Sequence, residues 1–288
     1  MSSNDGKNNR IYISDLDGTL LRDDATLSPF SRDKLGELIE GGVKFTIASA
    51  RSYSSLGTIV GEVPFRLPII EINGAFITDY HTGEHLVINR IDADIVERIF
   101  SCVRGHGLQP FVSTFNGSED CLYFEKLING GMEWYHADRV ANRDKRLRRV
   151  GDLTGVFGEK VISMNVMGKH DDVKDVGEVI EREVGDRLEN FLFENPYSPG
   201  WWWLTIHDRK ACKSIAIREL MELGGFGVDD LTVFGDNLND VKMFQMAGRA
   251  IAVGNATDEI KGHADEIIGP NEDDSVVKFI MRENGFCA

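Results

Sequence analysis

The sequence predicts an α/β fold, a parallel sheet flanked by helices and interrupted by an inserted α+β domain. Three observations predict it. Short apolar runs alternate with helical patterns near both ends of the chain. Each of those runs ends in a polar cluster. The order of elements changes in the middle of the chain and then resumes.

Ile11-Tyr12-Ile13 reads as the first buried strand. A helix follows, with Ser28 as its cap, Pro29 in its first position, Leu35, Leu38 and Ile39 at helical spacing, and Gly41-Gly42 as its stop. Strands are expected at 44–48, running into Ser49-Ala50-Arg51, and at 68–72, running into Asn73-Gly74-Ala75. In the middle, a strand at 86–90, a helix at 92–105 and strands at 108–114 and 121–125 are followed by strand 160–166, helix 171–184 and strands 188–194 and 201–206. That is a strand-helix-strand-strand unit used twice, as in a sheet faced on one side by helices. The α/β rhythm returns with a helix at 214–223, a strand at 231–234, a helix carrying Val241, Phe244 and Ala247, and short strands at 249–253 and 266–268. The expected division is a disordered tail at 1–9, core at 10–82, an inserted domain at 83–206 and core again at 207–288.

The chain has 288 residues and a formal charge of −15, so a nucleic-acid-coating role is not expected. No apolar run approaches a membrane span and the first ten residues hold no apolar signal region, so a cytoplasmic protein with no membrane partner is expected. Cys102, Cys121, Cys212 and Cys287 form no CxxC pair and read as free thiols. Nothing in the sequence separates a monomer from a small homo-oligomer.

Asp15-Leu16-Asp17-Gly18-Thr19-Leu20 places two carboxylates at the carboxyl end of the first strand, where ligands bind in parallel α/β sheets. Such a pair either repels or shares a cation. A second acidic turn, Gly235-Asp236-Asn237-Leu238-Asn239-Asp240, follows another apolar strand. Alone it also reads as a helix N-terminus, where Asp and Asn cap free amides. Together, the two clusters suit a hard divalent cation such as Mg²⁺. At an effective dielectric of about 20, two unit charges about 4 Å apart interact by roughly 4 kcal/mol, so several Asp beside an anion require a metal and a basic residue. Lys213, opening a helix, is a candidate for that residue and Ser49 for a hydroxyl donor.

The order of DLDGT, the Ser49-Ala50-Arg51 turn, Lys213 and GDNLND resembles the four motifs of the haloacid dehalogenase superfamily. The insertion between the second and third motifs resembles its large type-two cap. Asn73-Gly74-Ala75, Gly254-Asn255-Ala256 and Ala264-Asp265 resemble the Cof-like branch of sugar-phosphate and cofactor phosphatases. The resemblance implies a Rossmann-like core and a mobile cap that chooses the leaving group. It implies a Mg²⁺-dependent phosphatase of small phosphorylated metabolites, such as sugar phosphates, pyridoxal phosphate or flavin mononucleotide. Asp15 would be the nucleophile forming an aspartyl phosphate and Asp17 the acid and base. Asp15, the Asp17 carbonyl and Asp236 would hold the metal, with Asp240 in support. Ser49, Lys213, Asn239 and the amides near Leu16 and Ala50 would bind the phosphoryl group. A phosphotransferase or phosphomutase, and a non-catalytic phosphometabolite sensor, are the alternatives. Two departures from the family pattern stand out. Ala50 replaces the usual Gly of the second motif, and Glu272-Asp273-Asp274-Ser275 lacks a Gly after its acids.

His81 and His85 have the spacing of a zinc pair, but Thr82-Gly83 between them favours a hairpin turn. The basic stretch from Arg139 to Arg149 reads as a solvated surface or an anion site. In Trp201-Trp202-Trp203, strand alternation sends Trp202 to the opposite face from its neighbours, where it can stack on a substrate.

Overall fold

The computed structural model describes residues 9–195 and 197–286. Along the chain run β1 (Ile11–Ser14), α1 (Pro29–Glu40), β2 (Lys44–Ile47), α2 (Tyr53–Ile59), β3 (Ile69–Glu71), β4 (Phe76–Thr78) and β5 (His85–Ile88). Then come α3 (Ala93–Gly105), β6 (Pro110–Phe115), β7 (Asp120–Phe124), α4 (Gly130–Ala141), β8 (Leu147–Arg149), β9 (Lys160–Gly168), α5 (His170–Val184), β10 (Leu188–Glu194) and β11 (Trp202–Asp208). The last set is α6 (Lys213–Gly224), β12 (Leu231–Gly235), α7 (Val241–Met246), β13 (Arg249–Ala252), α8 (Asp258–His263), β14 (Glu266–Ile267) and α9 (Ser275–Glu283). Two compact units emerge, one of residues up to Val87 and from Cys212 onward, the other Ile88–Ala211. Their boundaries fall a few residues beyond the expected 82/83 and 206/207. The first shifts because β5 joins the small sheet β3-β4-β5 of the first unit instead of opening the insertion.

The first unit is built on a five-stranded sheet, β14-β13-β12-β1-β2, parallel throughout. Its central strands are apolar on both faces, as two-sided burial requires. Ile11, Ile13, Val233 and Phe234 are all fully buried. Pairing of β1 with β12 sets Ser14 opposite Phe234, and pairing with β2 sets Ser14 opposite Ile47. The next residues along the three chains, Asp15, Ala48 and Gly235, therefore lie side by side. Helix α1 starts as expected, with Ser28 Oγ accepting from the Ser31 amide at 2.9 Å.

Asp274 stands in the left-handed region at φ 55°, a conformation that glycine adopts most readily. Its carboxylate accepts from Ser28 Oγ and from Ser31 Oγ at 2.8 Å, so the side chain ties α9 to the start of α1. Asp274→Gly removes the left-handed penalty of about 1 kcal/mol but loses two charge-assisted bonds worth about 1.5–3 kcal/mol each. A net loss of about 2–5 kcal/mol in urea unfolding is expected, and a variant as stable as wild type would discount those bonds.

The second unit holds a six-stranded sheet, β10-β11-β9-β6-β7-β8, antiparallel except at β7-β8. Ile95, Val96, Ile99, Val173, Val176 and Ile180 of α3 and α5 cover one face, against Met164, Val166, Leu204 and Ile206. The other face is not bare, as a sheet faced on one side would be. Met132, Trp134 and Tyr135 of α4 pack there with Phe111, Phe124 and Trp203. Trp203 and Trp202 do alternate, but Trp202 packs into the helix-covered side and meets His170 edge-on at 4.5 Å. Three residues of the basic stretch are paired with acids: Arg139 meets Asp138 and Asp144, Arg146 meets Asp144, and Arg148 meets Glu119.

Asn9, assigned to the tail, donates to Asp230 Oδ2 at 2.8 Å. The rest of that tail, 1–8, and Cys287 lie outside the described residues. Cys102, Cys121 and Cys212 are free thiols. His81 and His85 flank a hairpin turn and diverge. His81 Nε2 meets the Phe65 carbonyl at 2.7 Å, while His85 stacks on Phe76 at 3.9 Å.

Candidate active site

Because β1 and β12 are neighbours in register, the two acidic turns meet. The Asp15 amide donates to the Phe234 carbonyl at 3.0 Å, extending the β1–β12 pairing to the first acid. Gly18 then turns back at φ 75°, where a Cβ would lie 2.5 Å from Asp236 Oδ2. Only glycine admits both that backbone and that approach. Thr19 Oγ1 donates to Asp236 Oδ1 at 2.9 Å, and Asn255 Nδ2 donates to the Gly18 carbonyl at 2.7 Å. Asn255 Oδ1 in turn accepts from the Asn271 amide at 3.0 Å. The DLDGT loop is thus held by the 234–236 segment and by Asn255, which Asn271 holds in turn.

Lys213, 2 % exposed, is the first residue of α6. Its Nζ donates to Asp15 Oδ1 at 2.6 Å and to Asp240 Oδ1 at 2.8 Å. A cation at a helix N-terminus opposes the helix dipole, and a buried one also loses its hydration. Burial alone would lower the Lys213 pKa, but the Asp15 and Asp240 carboxylates outweigh it and raise it. Asp240 serves two ends. Its Oδ1 faces Lys213, while its Oδ2 accepts from the amides of Asp236 at 3.1 Å and Asn237 at 3.3 Å. The capping reading of GDNLND and the charged-site reading are therefore both true of this one residue.

Oxygens of Asp15, Asp236 and Asp240 all lie within 4.8 Å of one another. One ammonium cannot neutralise three carboxylates. Burial, and then the neighbouring acids, raise the Asp15 pKa well above the carboxylate range, though Lys213 pulls it down. Burial and Asp240 push Asp236 up to about 6, against the opposing Thr19 bond and Lys213. An acid with a raised folded pKa weakens the fold as pH rises, because the unfolded chain gives up its proton first. Through Asp236, metal-free protein should therefore lose about 1–3 kcal/mol of stability between about pH 4 and 6. Urea titrations in chelator across that range check it, and stability rising through the window would contradict these shifts.

The other predicted residues fall around this group, all in the first unit. Asp17 is half exposed and held by Arg51, whose Nε and Nη2 donate to its two oxygens at 2.8 and 2.5 Å. Ser49 is fully buried, and its Oγ accepts from the Arg51 amide at 3.1 Å. Ala50 is absent from the positive-φ residues, so the Gly-to-Ala departure is accommodated without strain. Leu16 is buried at the start of the DLDGT turn, and Asn239 sits beside Asp240. Among the described residues, no hydrogen bond joins Ser49, Ala50 or Asn239 to the acidic group. Arg51, Asn255 and Asn271 carry no role in the sequence reading. The Arg and the Gly254-Asn255-Ala256 wording were visible, but their partners lie in distant segments.

The chain as a whole resembles known proteins. The chain is 26% identical over 288 residues to pyridoxal phosphate phosphatase YbhA of Escherichia coli, covering 94% of this chain and 97% of that protein. It is 25% identical over 277 residues to 5-amino-6-(5-phospho-D-ribitylamino)uracil phosphatase YitU of Bacillus subtilis, covering 92% and 94%. The fold matches that of the HAD subclass IIB sugar phosphatase BT4131 with a TM-score of 0.73 at 19% identity, over 96% of this chain and 99% of the other. The family model of the haloacid dehalogenase-like hydrolases matches residues 12–280, and the chain belongs to that family.

Proposed function

We propose that this protein is a Mg²⁺-dependent phosphatase of small phosphorylated metabolites, working through an aspartyl phosphate on Asp15. The observation that carries this reading is the buried Asp15–Lys213–Asp240 group beside Asp236, an arrangement too costly in desolvation to serve folding alone. The donor set fits a hard cation, which takes oxygen ligands. Asp15, Asp236 and the Asp17 carbonyl would hold it, since both oxygens of Asp240 are already engaged. When bound, the metal supplies charge neutralisation for the phosphoryl group.

Asp15 attacks phosphorus, forming the acyl phosphate as the bond to the leaving oxygen breaks. Asp17 gives that oxygen a proton, then takes one from the water that hydrolyses the intermediate. Lys213 and Ser49 hold the transferring group, since phosphoryl transfer depends on positioning and charge more than on covalent chemistry. Arg51 orients Asp17 through its two-pronged contact. The names of the relatives make pyridoxal phosphate and 5-amino-6-(5-phospho-D-ribitylamino)uracil the first substrates to try, with sugar phosphates beside them.

The test is phosphate release from a generic aryl phosphate and from that panel, with Mg²⁺ and with excess chelator. Mass spectrometry of hydroxylamine-treated protein should find the acyl adduct at residue 15. Undiminished release in chelator would remove the metal from the reading. Transfer to an added sugar in place of water would make the protein a phosphotransferase, and no turnover on any phosphate would leave a sensor.

Mg²⁺ should also raise the unfolding temperature at pH 7.5, by mass action on the folded state. The gain should shrink near pH 5, where protons compete for Asp236. An equal gain at both pH values would argue against these ligands.

A further inference from the structure

We propose that the turn Ile72–Gly74 is a positioning device, holding the Ser49–Arg51 segment in fixed register against the start of α6, which carries Lys213. The inference rests on the reading of Ser49 and Lys213 as phosphoryl-binding residues.

Three successive residues of this turn occupy the left-handed region, Ile72 at φ 48°, Asn73 at 55° and Gly74 at 102°. For a β-branched residue such as Ile72 that conformation is an outlier, costly enough to persist only where its surroundings impose it. Asn73 Oδ1 is also buried without a hydrogen-bond partner, a second cost at the same place. The surroundings that hold the turn are identifiable. The Ile72 amide donates to the Arg51 carbonyl at 3.0 Å and the Asn73 amide to the Ser49 carbonyl at 2.9 Å. The Ser49 amide donates back to the Ile70 carbonyl at 2.9 Å, just before the turn. On its other side the turn presses on α6. A Cβ on Gly74 would lie 2.8 Å from the Cys212 carbonyl oxygen and 2.9 Å from Ala216 Cβ. One three-residue turn therefore touches the backbone of Ser49 and the backbone that precedes Lys213.

If the turn sets the spacing of those two groups, its distortion should cost the transition state more than the ground state. Binding groups displaced by a fraction of an ångström still hold a tetrahedral phosphate but misfit the trigonal bipyramid of transfer. The test compares wild type with Gly74→Ala and with Gly107→Ala. Gly107 is a matched control in the second unit, at φ 74° with nothing within 4 Å of an added Cβ. Calorimetry measures binding of orthovanadate and of inorganic phosphate in Mg²⁺, beside kcat and KM on an aryl phosphate.

Gly74→Ala should weaken vanadate binding by about tenfold or more, phosphate binding by less than about threefold, and lower kcat in step with vanadate. Gly107→Ala should lose thermal stability and keep the vanadate-to-phosphate ratio. Folded Gly74→Ala with the wild-type ratio and kcat would overturn the proposal, as would the same loss in both variants. Should Gly74→Ala fail to fold, Ile72→Gly loosens the same turn without adding an atom, and a wild-type ratio there overturns it equally. Wild-type protein that binds neither anion and releases no phosphate would instead defeat the reading of the site, and the inference with it.

Discussion

Lys213→Ala should destabilise the protein by about 3–5 kcal/mol at pH 7.5 in chelator, the usual cost of breaking a buried ion pair from one side. Its Nζ is the shared partner of Asp15 and Asp240, and the side chains of all three are at least 93% buried. Without the ammonium, three carboxylates face one another in a desolvated group. The protein can escape only by protonating one of them. The deficit should therefore narrow toward pH 5, where Asp236, already raised to about 6, takes up a proton. Urea denaturation at the two pH values checks both parts. A variant as stable as wild type at pH 7.5 would mean that Lys213 neutralises little. Turnover should fall by about 10²–10³-fold, the range for losing one donor to a developing oxyanion.

Asp15→Asn should abolish turnover, by about 10⁴-fold or more, without destabilising the fold. An amide cannot form the acyl phosphate, yet its oxygen still accepts from Lys213. It also removes one of the three like charges that raise one another's pKa. Thermal stability in chelator at pH 7.5 should equal or exceed that of wild type. The opposed directions make the pair of measurements informative: catalytic loss with a lower unfolding temperature would point to simple structural damage. Activity within about tenfold of wild type would sink the nucleophile assignment. Asp15→Ala guards against reversion of Asn to Asp by deamidation.

Much of the first unit was legible because its signals are local. β1, α1, β2 and β12 are marked by apolar runs, a Ser-Pro start and paired glycines, and they lie within a residue or two of their expected ends. Helix α4 was missed for a physical reason. Only its Gly131 and Met132 are buried, so it has no full apolar stripe to read. β5 went to the wrong unit because strand pairing is a non-local choice that its own residues do not encode. Asp274 shows a further limit. The missing glycine was visible, while the two serines that make an aspartate acceptable there lie 246 and 243 residues away in sequence.

The candidate site divides the same way. By itself the sequence determined which residues end the strands, and so which acids, hydroxyls and glycines stand at the carboxyl edge of the sheet, because strand and turn formation depend on neighbours along the chain. Only the tertiary structure decided which of them act on each other. Lys213 and Asp15 are 198 residues apart, and their 2.6 Å contact exists because parallel pairing and the packing of α6 bring distant strand and helix ends together. Charge state follows from burial and proximity, which are properties of that packing. So the raised pKa values of Asp15 and Asp236, the grip of Arg51 on Asp17 and the strained turn at Ile72 belong to the fold.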